Sequence, residues 1–117
     1  MMSAMIRTMS SPNSIELNNG VIMPVLGLGT YLIEPKQAKK VVLDALSVGY
    51  RHIDTASFYG NEREVGEAIR ESGIDRDEVF VTTKVWNDDH GYERARGAFQ
   101  RSLRLLGMDR VDLYLIH

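Results

Sequence analysis

From about residue 25 to residue 117 the chain alternates, roughly every 30 residues, between a short apolar run and an amphipathic helical pattern. Short loops between such runs leave parallel strands joined by helical crossovers as the economical solution, so the fold class is α/β with a parallel sheet. Two architectures satisfy that pattern: a doubly wound open sheet and a (β/α)8 barrel. Four strand-helix units are half a barrel, so the barrel reading implies that more chain belongs to the fold.

The first core strand is expected over residues 25–29, Val-Leu-Gly-Leu-Gly, with glycines where a side chain would obstruct a close approach. Pro35 suits a first helical turn, and Ala38, Val41, Val42, Ala45 and Leu46 make one apolar face that Gly49 ends. Residues 50–53 read as the second strand. Asn61 is expected to cap the second helix with Glu64 three residues on; Val65, Ala68 and Ile69 face inward and Gly73 stops it. Residues 79–85 are the third strand, rich in β-branched and aromatic residues. Ala95, Ala98, Phe99, Leu103 and Leu106 build the third helix, closed by Gly107, and residues 111–117 form a fourth strand.

Ahead of this pattern, alternating runs flank Asn19-Gly20, a dipeptide that accepts the positive φ of a tight turn, so residues 15–24 are expected as a small β-hairpin. Residues 1–14, rich in Met and Ser, are expected to be a disordered leader, since they lack the unbroken apolar core of a secretory signal. A net charge of −2 with scattered Lys and Arg gives no basic patch, which argues against nucleic acid as a partner. With no cysteine, disulfides and Cys-based zinc sites are excluded, and a cytoplasmic location is compatible. No metal site is expected, and no apolar run approaches the roughly 20 residues of a membrane span.

Four polar residues fall at the C-terminal ends of these strands, the edge where parallel α/β proteins bind ligands. Asp54 and Tyr59 follow the second strand, Lys84 ends the third and His117 the fourth. Singly, each has an ordinary explanation: Asp54 a turn residue, Tyr59 a packing aromatic, Lys84 a snorkelling lysine, His117 a frayed end. Together they suggest a site. A lysine at a buried strand end needs a counter-charge, and Asp54 on the neighbouring strand supplies one. An ammonium beside a phenol stabilises the phenolate left when Tyr59 donates its proton, which suits a general acid. His117 beside it can orient a carbonyl oxygen and share its developing charge.

The motifs Gly27-Leu-Gly-Thr-Tyr31, Gly49-Tyr-Arg-His-Ile-Asp-Thr-Ala56, Tyr59-Gly-Asn-Glu62, Thr83-Lys-Val-Trp86 and Asp112-Leu-Tyr-Leu-Ile-His117 resemble, in order and at the right spacing, the N-terminal half of the aldo-keto reductases. Within that family Trp86-Asn-Asp-Asp-His-Gly-Tyr92 is most similar to the bacterial diketogluconate and glyoxal reductase types. The resemblance implies a parallel (β/α)8 TIM barrel of which residues 15–117 supply the hairpin, the first four strands and three helices. It implies a catalytic tetrad of Asp54, Tyr59, Lys84 and His117, with Tyr59 protonating a carbonyl while NADPH delivers hydride. Gly29, Thr30, Tyr31 and Asp54 would lie at the cofactor, and Trp86 and His117 at a small carbonyl substrate.

The family's remaining strands and its contacts to the cofactor's adenosine phosphate have no counterpart in these 117 residues. The complete parent is therefore expected to be a monomeric reductase. The 117-residue chain alone is expected to be inactive and to self-associate, because the inner faces of its strands and both sheet edges would lack partners. The other reading is a non-catalytic half-barrel that pairs with itself or with another half.

Overall fold

The computed structural model describes residues 13–117. An antiparallel hairpin of β1 (Ser14–Glu16) and β2 (Ile22–Pro24) turns at Gly20, whose φ of 86° is the left-handed geometry anticipated for Asn19-Gly20. The leader anticipated over residues 1–14 falls outside the described residues except for Asn13 and Ser14, and Ser14 already opens β1.

A four-stranded parallel sheet follows, formed by β3 (Leu28–Gly29), β4 (His52–Asp54), β5 (Phe80–Val85) and β6 (Leu113–Ile116), in that spatial order. Its crossovers are α1 (Pro35–Ser47), α2 (Glu62–Glu71) and α3 (Tyr92–Leu106). Val42 and Leu46 of α1, Val65, Ala68 and Ile69 of α2 and Leu106 of α3 share one core cluster with Ile53 and Val81 of the sheet and with Val79 just ahead of β5. All three helices therefore cover the same face. A doubly wound sheet reverses its strand order and takes helices on both faces; sequential order with helices on one face is a barrel wall.

Close approaches set the wall's geometry. A Cβ on Gly66 of α2 would lie 2.0 Å from the Leu106 carbonyl oxygen, so only glycine lets α2 meet the end of α3 at this distance. On the inner face, a Cβ on Gly27 would come within 3.0 Å of His52, as expected, whereas Gly29 faces open space and obstructs nothing within the protein. Asp112 anchors β6: its backbone N–H donates to Val81 O, and its Oδ2 accepts from the Val81 N–H at 2.8 Å and from Arg76 at 3.0 Å.

Several strand boundaries differ from the expected ones. Residues 25–27 are not paired in the sheet; Val25 N–H donates to Asn13 O instead, which draws the segment back toward the hairpin and leaves Val25 and Leu26 exposed. The second strand starts two residues later than expected and includes Asp54, paired with Gly29 on one side and Thr82 on the other. Asp54 is thus held by the sheet and not by a loop.

The expectation of a bare inner face also needs correction. Phe80 and Thr82, on the face opposite the helices, are only 5% and 1% exposed. The cover is local: the His52 ring sits edge-on to Phe80 at 4.8 Å and spans from Pro24 O (3.1 Å) to the Thr82 hydroxyl (2.9 Å). Because a carbonyl only accepts, His52 donates through Nδ1 to Pro24 O. Exposure persists at the β6 edge, where Leu115 is exposed and Ile116 is 78% exposed. Among the described residues no helix is long and apolar enough to cross a membrane.

Candidate active site

The C-terminal ends of β4, β5 and β6 lie side by side, and the polar residues expected there do converge. Lys84 points out of β5 on the inner face, and its ammonium donates to Asp54 Oδ1 at 2.5 Å, to Thr55 O at 2.9 Å and toward the Tyr59 hydroxyl at 3.5 Å. The lysine is the more enclosed partner, with 13% of its side chain exposed against 36% for Asp54. A buried ammonium with three oxygen neighbours has its donors satisfied, which is what makes a charge tolerable at a strand end.

Tyr59 closes a single 3-10 turn (Ser57–Tyr59), followed by Gly60 at a φ of 71°. That turn is fastened to β5 by Ser57, whose hydroxyl donates to Lys84 O at 3.2 Å. The phenol therefore stands over the lysine because its loop is bonded to the lysine's own backbone.

An aromatic enclosure completes the site. Phe58 and Trp86 stack with centroids 3.9 Å apart and planes at 18°. His117, placed by its backbone N–H to Val85 O, lies edge-on to Tyr59 at 5.7 Å and to Trp86 at 5.2 Å. On the opposite side Tyr31 tilts against Tyr59 at 5.1 Å. The Tyr59 ring is thus in contact with the rings of His117 and Tyr31, and Trp86 lies against His117.

The residues assigned to the cofactor divide into two kinds. Gly29 leaves open space beside Asp54, and Tyr31 is 58% exposed, so both can face a flat ring. Thr30 is wholly buried, and its hydroxyl donates to Asp54 O at 3.0 Å, which spends the side chain on the protein. Asn61, expected as a helix cap, makes no side-chain cap bond to α2 and turns into the protein instead. Phe58, which the family resemblance puts with Trp86 at the substrate pocket, stacks on that residue. Among the described residues no group of three or more His, Asp or Glu side chains is arranged to hold a metal ion.

A barrel wall with an Asp, a Tyr and a Lys in contact at its C-terminal edge, and a His beside the Tyr, defines a class of barrel proteins with a polar site at the strand ends. Residues 25–117 match the Aldo/keto reductase family, and the chain belongs to that family. It is 57% identical over 103 residues to morphine 6-dehydrogenase of Pseudomonas putida, covering 88% of this chain and 35% of that protein. Against glyoxal reductase of Bacillus subtilis the identity is 50% over 109 residues, with 92% and 40% covered. The chain spans between a third and two fifths of the length of these relatives.

Among solved structures, an aldo/keto reductase from Brucella melitensis superimposes with a TM-score of 0.88 at 51% identity, covering 93% of this chain and 42% of that one. An aldo-keto reductase from Bombyx mori in complex with NADP gives 0.85 at 43% identity, with 89% and 37% covered. These neighbours are (β/α)8 barrels, so the four strands and three helices seen here are the N-terminal part of that barrel.

Proposed function

We propose that these residues form the N-terminal part of an NADPH-dependent reductase that converts small aldehydes or ketones to alcohols. The observation that carries this reading is the three-way contact of Lys84 with Asp54 at 2.5 Å and Tyr59 at 3.5 Å at the strand ends. A carbonyl oxygen placed between Tyr59 and His117 accepts the phenolic proton as its carbon receives hydride, and the product is the alcohol. Lys84 stabilises the phenolate left behind, and Asp54 holds the ammonium in place. His117 orients the oxygen, and the Phe58–Trp86 stack excludes water from one side.

NADPH, when bound, supplies the hydride. Gly29, Tyr31 and Asp54 would hold its nicotinamide half, with Thr30 holding the turn beneath, and the open space over Gly29 suits a flat ring. The family supports carbonyl reduction, the Bombyx mori relative supports the nicotinamide cofactor, and the Bacillus subtilis relative makes glyoxal a sensible first substrate. The test is NADPH oxidation by the complete protein with glyoxal. Steady turnover supports the reading; cofactor and aldehyde left unchanged contradict it.

A second reading applies to the 117-residue chain made alone, as a half-barrel that self-associates without catalysis. What favours it is an apolar groove of about 690 Å³ lined by Val85, Tyr92, Phe99, Tyr114 and Ile116, next to the unpaired edge of β6. Sedimentation of that chain should show dimers or larger species and no NADPH oxidation; a cooperative, active monomer contradicts this.

A further inference from the structure

Asn61 is completely buried, two residues beyond Tyr59, and both its amide donors and its oxygen are engaged within the protein. Its Nδ2 donates to Thr30 O at 2.9 Å and to Ile33 O at 3.1 Å. Its Oδ1 accepts from the Thr55 hydroxyl at 2.8 Å, with the Thr30 hydroxyl 3.4 Å away. An asparagine at a helix start ordinarily caps the helix with its side chain. This one forgoes the cap and reaches across to the turn of residues 30–33 instead.

That turn is strained. Ile33 N–H closes it on Thr30 O at 3.2 Å, and Leu32 takes a φ of 66°, the left-handed region that glycine normally fills. Leu32 is the only non-glycine with positive φ among the described residues, and it is 81% exposed, so packing does not hold it there. The two carbonyls that Asn61 grips stand on either side of Leu32, which identifies the amide as the restraint. The other inner residue of the turn is Tyr31, whose ring rests 5.1 Å from that of Tyr59.

We infer that Asn61 is a positioning residue that holds the turn of residues 30–33 in its strained form, so that Tyr31 is presented as one wall of the nicotinamide site. The inference rests on the proposed function for the identity of the ligand, but the clamp itself can be read without any ligand. In this arrangement Asn61 links the ends of β3 and β4 to the start of α2, and the cofactor face is organised before anything binds.

The test uses Leu32→Val, Asn61→Ala, Leu32→Gly and the double variant Leu32→Gly/Asn61→Ala in the complete protein. NADPH affinity is measured by fluorescence titration, and Ile33 amide exchange is measured on the free protein. Leu32→Val changes an exposed side chain to one that resists positive φ, so folding is safe while the turn is opposed. Leu32→Val and Asn61→Ala should each weaken NADPH binding by about tenfold, the scale of one strained backbone residue. kcat at saturating cofactor should fall much less, and Ile33 exchange should accelerate. Leu32→Gly should bind as the wild type does, and in the Asn61→Ala background it should recover part of the lost affinity, because glycine holds the turn without the clamp.

Wild-type affinity in Leu32→Val, or no recovery in a folded double variant, overturns the inference. Unchanged Ile33 exchange in Asn61→Ala overturns the clamp whatever the cofactor does. A wild-type protein that binds no NADPH overturns the proposed function, and with it the cofactor role given to Tyr31.

Discussion

Lys84 on β5 and Asp54 on β4 meet at 2.5 Å although 30 residues separate them in the chain. The register pairs Asp54 with Thr82, and Lys84, two residues further along β5, shares Thr82's face, so its long side chain reaches back to the carboxylate. Two strand ends therefore create the ion pair, and the Tyr59 loop is then bonded down over it through Ser57 and Lys84 O.

Lys84→Met should remove most activity, by about 100-fold or more in kcat, since Tyr59, the proposed general acid, loses the charge that would stabilise its conjugate base. It should also destabilise the fold by about 1–2 kcal/mol. That is less than for a fully buried pair, because Asp54 remains a third exposed and keeps part of its hydration. Denaturant unfolding of Lys84→Met, Asp54→Asn and the double variant checks this. The double variant should be less destabilised than the sum of the singles, and strict additivity would mean that the pair is not coupled.

Gly66→Ala and Gly29→Ala should behave oppositely. At Gly66 the added methyl meets Leu106 backbone at 2.0 Å, so α2 and α3 must separate, at a cost of roughly 3 kcal/mol. At Gly29 nothing lies within 4 Å, so the unfolding midpoint should stay put while NADPH affinity drops. A stable Gly66→Ala or an unaffected Gly29→Ala titration contradicts the respective contact.

Tyr114 carries a buried hydroxyl with no hydrogen-bond partner. Burial first, and Glu62 next, raise its pKa above the ordinary 10.0. The folded state therefore keeps the proton longer than the unfolded chain. The stability this provides is fully present below pH 10.0 and is lost as pH rises through the folded value. Tyr114→Phe should be neutral or stabilising by about 1 kcal/mol at neutral pH, because an unsatisfied group is removed. It should also flatten the decline in stability above pH 10.0, which unfolding midpoints across alkaline pH will show.

Much of this was legible in the residues because it is local. Of the face set by helical spacing, Ala38, Val42, Ala45 and Leu46 are buried and Val41 is half-buried, and the stop residues Gly49, Gly73 and Gly107 take φ values of 111°, 74° and 67°. Asp54 and Lys84 were legible for a different reason, as charged residues at the ends of core strands, and Tyr59 by its place in the loop that follows Asp54. What periodicity does not carry is the destination of a single polar side chain. Asn61 has the composition of a helix cap, yet its bonds span 28 and 31 residues. Asp112 likewise lies in an apolar run, and its bond to Arg76, 36 residues away, appears only once β5 and β6 are in register.

The central claim is that Tyr59 donates the proton in carbonyl reduction, and Tyr59→Phe tests it most directly because only one oxygen is removed. The measurement is kcat for NADPH-dependent glyoxal reduction by the complete protein, with NADPH affinity titrated alongside. The account predicts kcat lower by about 10²- to 10⁴-fold with cofactor affinity nearly unchanged. A Phe variant that keeps more than about a tenth of the wild-type kcat contradicts it.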